Sequence, residues 1–486
     1  MRLISSEALA LSLLVGASVT TVAQKLDYEA AGAPIKVAAA DPAIAAALGK
    51  VSPDAIHRTI ERLVAFGNRD TISSEETNLP AGTGVLAAAD WIHGQFEAIS
   101  KACGGCLEVK DDVFVYTPPA PDATGRKSRY AKPTKLHNVY AVLRGSDPAQ
   151  AKRMYLITGH YDTRNSDTMD AHGTAPGAND DSSGTAVSLE TARVLSGMKL
   201  PATLVFVAVA GEEQGLNGSH HLAELAKSEG WQLEGVLNND IVGGDTTPGE
   251  TLQTKSLVRV FSQGVLPTMP AAELRTILLT GAENDTPSRQ LAREVLAVGR
   301  TYFPAPVTLR PVMELRLDRY LRGGDHSSFS AEGFPAVRFT EWRENFNHQH
   351  QNVRTEGGVD YGDLIKFDDF DYMARVARLN AATMATLASS PGIPGNVKVV
   401  TQDLDNNTTL KWAAPAAAGV GVQYEVVWRE TAATDWQYAA EAAQYPGKDG
   451  TLSATLPVSK DNVFFGVRGC DGKGHCSQAV APVPER

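Results

Sequence analysis

Three shortages narrow what this chain can be. It has no apolar run long enough to cross a bilayer. Its nearest approach, residues 8–15, is well under half of the roughly 20 residues a spanning helix needs, so stable membrane insertion is not expected. It has no excess of positive charge: 45 Lys and Arg stand against 56 Asp and Glu, a net charge of -11. That balance argues against nucleic acid as the main partner. It is also poor in thiol, with four cysteines in 486 residues. They fall as two close pairs, Cys103 with Cys106 and Cys470 with Cys476, a spacing that predicts two local disulfides and an oxidising compartment. A redox role for the C-G-G-C string lacks the surrounding thioredoxin-like pattern.

What is present fits an exported globular protein of two to three folding units. At 43% hydrophobic and 21% charged residues, the chain has material for a sizeable core. The first residues carry Arg2, the short apolar run, and then Thr21-Val22-Ala23. That is the layout of a signal peptide over residues 1–23, with Glu7 an unusual charge near its apolar run. The expected location is therefore secreted, extracellular or periplasmic.

Residues 54–66 and 85–100 repeat apolar positions at helical spacing. From residue 107 onward, apolar strands alternate with helical stretches: LEVKDDVFVY, RMYLITGHYDT, TLVFVAVAGEE and LEGVLNNDIVG are strands. Strands that are apolar throughout and separated by helices predict an α/β unit over residues 24–390. Its central sheet should be mostly parallel, with helices on both faces. The string SSPGIPGN at residues 389–396 is a linker signal, and seven short strands without a helix follow. Residues 391–486 thus read as an all-β sandwich, with Trp412, Tyr424, Trp428 and Phe465 in its core.

The polar residues of the α/β unit collect at strand ends. His160 and Asp162 lie in GHYDT, Asp180 and Asp181 in GANDDSSGTA, Glu212 and Glu213 in GEEQGLNGS, and Asp240 in NNDIVG. One such acid is a turn residue or a helix cap. Four successive strand ends bearing them converge on one cleft, because ligands bind beyond the carboxyl ends of parallel strands. Carboxylates gathered there repel and lose hydration at a cost of several kcal/mol unless a cation neutralises them. Imidazole with carboxylates and no thiolate suits catalytic zinc, whereas calcium prefers more oxygens and no histidine.

These four strings, in this order and spacing, resemble the co-catalytic zinc exopeptidases typified by secreted bacterial leucyl aminopeptidases. The family also holds glutamate carboxypeptidases, glutaminyl cyclases and non-catalytic receptor ectodomains. The resemblance covers roughly residues 54–388. Residues 391–486 separately resemble a fibronectin type III domain, through strand spacing, Trp412 and the Tyr424-x-Val426 pattern.

The resemblance implies two zinc ions per chain. One is held by His160 and Asp240, the other by Glu213 and a late histidine, with Asp180 bridging them across a cis Asp180-Asp181 peptide. The late histidine lies in FNHQHQNVRTE, as His348 or His350; His350 fits the spacing to Thr355 better, and Arg354 stands where the family often has Asp. Glu212 would be the general base acting on a zinc-activated water and then the acid toward the leaving amine, and Asp162 would orient His160. Tyr320 and Arg322 are the candidates for stabilising the oxyanion. His326 in GGDHSSF is expected to be a hydrogen-bonded structural residue, His220 and His221 surface or packing residues, and His172 has no assigned role.

The activity implied is a metallo-aminopeptidase acting on peptides or proteins with a free N-terminus. A one-zinc glutaminyl cyclase and a binding protein on a dead peptidase scaffold are the alternatives. The sandwich is expected to attach the enzyme to a polymer or surface, or to serve as a spacer.

Overall fold

The computed structural model describes residues 25–120, 128–304, 309–415, 421–442 and 450–485. The expected signal segment lies outside the described residues. An eight-stranded sheet organises the α/β unit. From one edge to the other its strands are Leu107–Tyr116, Thr134–Leu143, Thr203–Val209, Arg153–His160, Gln232–Asn239, Ala336–Glu341, Leu257–Ser262 and Arg310–Glu314.

The four central strands, Thr203–Val209 through Ala336–Glu341, run parallel. Leu107–Tyr116 and Thr134–Leu143 add antiparallel strands on one side, and Leu257–Ser262 joins Ala336–Glu341 antiparallel on the other. Every residue of Arg153–His160, Thr203–Val209 and Ala336–Glu341 is buried, as both-face coverage requires. The edge strand Leu107–Tyr116 has mostly exposed or half-buried residues, so an antiparallel partner with one wet face suits it.

Alternate residues of one strand feed two separate cores. Tyr155, Ile157, Leu204 and Phe206 join a large core with the helices Pro53–Val64, Ser182–Leu195, Pro287–Tyr302 and Phe370–Ser389. Leu156, Val205 and Val207 pack on the other face against Leu222, Ala223 and Ala226 of the helix Asn217–Ser228 and Phe329 of the helix His326–Ala331. The predicted amphipathic helices fall at Pro53–Val64 and Gly84–Ala102. No helix among the described residues is long and apolar enough to cross a membrane.

Two four-stranded sheets form the sandwich. Trp412, Tyr424, Trp428 and Phe465 lie in its core, as the sequence indicates. Both local disulfides, Cys103–Cys106 and Cys470–Cys476, are present.

The segment around residues 26–35, assigned by sequence to the α/β unit, packs on the sandwich. Ala33–Pro34 adds an edge strand beside Tyr438–Glu441, pairing Ala33 with Ala439 and Pro34 with Tyr438. The Trp428 indole donates to the Tyr28 carbonyl at 2.9 Å, and Gly32 lies so close over the Trp428 ring that any Cβ would overlap it. The chain then returns to the α/β unit through the helix Pro42–Leu48, whose Ile44, Ala47 and Leu48 join the large core.

A buried ionic triad joins the units directly. Arg429 of the sandwich holds both oxygens of Asp285 at 3.0 and 2.9 Å, and Arg293 reaches the same carboxylate at 3.0 Å. All three side chains are almost wholly buried. Burial, with Arg429 adding repulsion, lowers Arg293 to about 10. Arg293 also donates to the Thr434 carbonyl at 2.8 Å, and Trp436 to Gln290 at 3.2 Å.

Two arginines thus depend on one carboxylate. Asp285→Ala should destabilise the protein by about 3–5 kcal/mol, because it strands two buried cations. The check is the midpoint of urea unfolding. A midpoint equal to wild type would show that the triad does not hold the units together.

Candidate metal centre

The central parallel strands deliver the predicted residues to one place. His160 ends the strand Arg153–His160, Asp240 follows Gln232–Asn239, and Asp180 and Asp181 immediately precede the helix Ser182–Leu195. Glu212 and Glu213 lie just beyond Thr203–Val209. Gly159 and Gly184 let that helix sit tightly against the sheet: a Cβ on Gly159 would meet the Gly184 backbone, and one on Gly184 the Asn239 carbonyl.

The side chains form two sets. His160 Nε2 lies 3.9 Å from Asp240 and 4.0 Å from Glu212. His350 Nε2 lies 3.1 Å from Glu213. Asp180 belongs to both, with Oδ1 3.2 Å from His160 and Oδ2 3.0 Å from His350. The donor atoms of His160, Glu212 and Asp240, and those of Asp180, Glu213 and His350, each gather within 4.8 Å.

Neighbouring residues fix these positions. Asp162 faces the other side of His160: Nδ1 is 3.1 Å from the Asp162 carbonyl and 3.4 Å from its carboxylate. The same carboxylate accepts from the backbone N–H groups of Glu212 and Glu213 at 3.3 and 3.1 Å, so it holds the acidic loop against the strand. Asp363 accepts from the N–H groups of Asn179 and Asp180 at 2.8 and 2.7 Å. Gln349 donates to Asp180 Oδ2 at 3.1 Å, and Arg338 pairs with Asp240 at 2.7 Å.

Asp181 diverges from Asp180. It accepts from the His160 and Gly184 N–H groups at 3.0 and 2.9 Å, capping the helix and tying it to the strand end. The peptide between the two acids is cis.

The electrostatics describe a place that wants a cation. Burial pushes the carboxyls of Glu212 and Asp181 well above their ordinary range, and the neighbouring acid Asp240 pushes both the same way. Asp162 and Asp180 hold His160 well above its ordinary value against the opposing effect of burial. Glu213 and Asp180 likewise raise His350 to about 10 despite its burial. A metal held there would neutralise the same acids. His160 Nε2 and Glu213 Oε1 are fully buried yet have no hydrogen-bond partner, although acids or imidazole stand 3.1–3.2 Å away. Donor atoms that are close but not aimed at one another, in a nitrogen-and-oxygen set, fit zinc.

Other sequence candidates lie elsewhere. His348 donates toward Asp245 at 3.0 Å and stacks on Phe367 at 3.8 Å, outside both sets. Tyr320 is 76% exposed beside Arg316 and does not line the cavity, whereas Arg322 does. His326 is buried against the Leu317 carbonyl at 2.8 Å, a structural role as expected. His221 stacks on Phe114, His220 is exposed, and His172 pairs with Glu76 on the surface.

Asp325 was missed beside His326. It is wholly buried, neither oxygen has a hydrogen-bond partner, and burial pushes it to about 7. Its signal was the acid in GGDHSSF. Asp363 and Gln349 carry no such signal, but a lone arginine at 338 within the apolar strand Ala336–Glu341 does. Above the two sets a cavity of about 910 Å³ opens to solvent.

A family model described as peptidase family M28 matches residues 138–356. A probable zinc metalloprotease of Leptosphaeria maculans is 42% identical over 449 residues, 91% of this chain and 97% of that one. One of Pyricularia oryzae is 43% identical over 452 residues, 91% of this chain and 85% of that one. Among solved structures, LapA of Legionella pneumophila is similar in fold, with a TM-score of 0.50 at 19% identity over 73% of this chain and 79% of that one.

Asp363 touches the ligand loop only through backbone N–H groups. Asp363→Ala should weaken zinc affinity about 10–100-fold while leaving the ligand side chains intact. Competition with a chromogenic chelator measures this, and unchanged affinity would reduce Asp363 to a local turn residue.

Proposed function

From the premise that this chain belongs to peptidase family M28 as a zinc metalloprotease, we propose that it is a secreted two-zinc aminopeptidase removing N-terminal residues from peptides. The observation that carries the two-metal reading is Asp180, whose two oxygens face different histidines. His160 and Asp240 would hold one ion and Glu213 and His350 the other, with Asp180 shared. Bound there, zinc supplies Lewis acidity that polarises the scissile carbonyl and makes water a better nucleophile at neutral pH.

The remaining chemistry belongs to the chain. Glu212 lines the cavity beside the His160 set, 4.0 Å from His160 Nε2. It takes a proton from the attacking water and returns it to the leaving amine. Asp162 keeps His160 in one orientation through Nδ1. Tyr320, a sequence candidate for the oxyanion donor, points into solvent, and Arg322 stands at the cavity wall.

Completeness of both ligand sets weighs against a one-metal glutaminyl cyclase and against a binding protein that has lost catalysis. Secretion is supported by the layout of residues 1–23 and by the two disulfides. The sandwich, fibronectin type III-like in strand spacing, is fixed to the catalytic unit by the Asp285 triad. It would present the active site to a polymer or surface in one orientation rather than on a free tether.

A panel of aminoacyl arylamides and their N-acetylated forms is the direct assay. Free substrates should be cleaved and blocked ones should not, and Glu212→Gln should lower kcat about 10²–10⁴-fold. Equal cleavage of blocked and free substrates would remove the aminopeptidase reading, and full activity in the variant would remove the assigned base. Metal analysis should find two zinc ions per chain, with activity lost on chelation and restored by zinc. A single ion would sink the shared-carboxylate scheme.

A further inference from the structure

The wall of the cavity is at odds with an enzyme for apolar N-terminal residues. Its lining includes four arginines, Arg129, Arg164, Arg319 and Arg322. Of its large apolar and aromatic residues, Leu321 and Phe346 are 95% and 66% exposed, and Leu216 and Tyr116 are half-buried. The acids of the described lining are Asp180, Glu212, Glu213 and Asp240, the residues of the candidate metal centre. A cation bound among them would take up their charge, which leaves the less engaged arginines to meet a substrate anion.

The four arginines are not equally engaged. Arg319 is saturated by Asp318 and Glu344 at 2.9 and 2.8 Å and by the Gly323 carbonyl at 3.2 Å. Arg129 extends from the surface to the Glu213 carbonyl at 2.6 Å. Arg164 is different: its Nε is buried without a hydrogen-bond partner, and the acid it faces, Glu213, stands 3.8 Å away and already lies against His350. Arg322 makes two long contacts, both through Nη1 at 3.3 Å, to Glu344 and Gln349. Glu344 is already shared by Arg259 and Arg319 at 2.8 Å each.

Both underused guanidinium groups sit on the side of the Asp180–Glu213–His350 set. Arg164 faces Glu213, and Arg322 bonds Gln349, which itself bonds Asp180. A planar guanidinium with free donors in a partly desolvated wall is a carboxylate receptor.

The geometry points to Arg164 and Arg322 as specificity-determining residues that bind a carboxylate of the substrate beside the Glu213–His350 side of the centre. The assignment rests on the peptide-hydrolysing reading of the same cavity and names its substrate class: short peptides with an anionic group next to the scissile bond. That group is either an acidic side chain or the peptide's own C-terminal carboxylate.

Full-length, zinc-loaded protein separates the two sources. Glutamyl and glutaminyl arylamides differ only in a side-chain carboxylate, and Leu-Gly and Leu-Gly amide only in a terminal one. In one pair the acid should exceed its neutral twin by about tenfold or more in kcat/KM, as a charge-assisted contact supplies. Arg164→Gln and Arg322→Gln should each collapse that ratio. Arg322 is a third exposed, so its variant is expected to fold even where the more buried Arg164 variant does not.

Calorimetric binding of glutamate against glutamine, and of leucine against leucinamide, gives a readout without turnover. An acid preference that is lost in either variant upholds the arginine site even in a protein that cleaves none of these substrates, an outcome that would remove the peptidase reading alone. Acid-to-neutral ratios within about twofold of unity in both turnover and binding overturn the assignment. So do ratios that both variants leave unchanged.

Discussion

Asp180 divides its two oxygens between His160 and His350, and much of the surrounding structure exists to let it do so. A carboxylate buried among Glu212, Glu213 and Asp240 is unfavourable on its own, since desolvation and like charge act in the same direction. The scaffold therefore grips Asp180 by its backbone through Asp363 and by its side chain through Gln349. The neighbouring Asp181 takes a separate task, fastening the helix Ser182–Leu195 to the end of the strand that carries His160. Two adjacent acids thus do unlike work: one faces the two histidines of the candidate metal centre and the other keeps the strand and helix in register.

The share of this that was legible in the sequence follows from how locally each feature is encoded. His160, Asp180, Glu212, Glu213 and Asp240 each adjoin an apolar strand or open a helix, and parallel strands bring their carboxyl ends to one edge, so pattern alone pointed them to a common site. His350 and His348 share one short loop, and their spacing could not fix which one turns inward. His350 takes a left-handed backbone at φ 54°, while His348 is drawn off by Asp245 and Phe367.

Asp363 and Gln349 act from loops, where no periodicity announces a partner, whereas Arg338 supports Asp240 from the neighbouring strand. The antiparallel edge strands escaped because strand direction depends on pairing, which hydropathy does not record. The edge strand Ala33–Pro34 is too short to carry any period at all.

The union of the two units also depends on charge rather than on apolar area alone. Asp285 is the one acid serving Arg293 and Arg429, and the three come from both sides of the boundary near residue 390. A linker rich in Pro and Gly suggests independence, yet the contact it leads to is buried and directional. A buried triad of this kind sets orientation as well as proximity, because both Asp285 oxygens accept from Arg429 Nη2 while Arg293 donates to one of them from the other unit.

The edge strand at Ala33–Pro34 bears on how the protein comes to exist. Tyr28 and Trp428, joined by a hydrogen bond, are 400 positions apart. A ribosome releases the first long before it makes the second, so the early segment waits with its partner sheet unmade while the α/β unit folds between them. The sandwich is thus completed last, and by residues synthesised first. Proline at the outer position, with no N–H to donate, then closes that sheet edge to further strands.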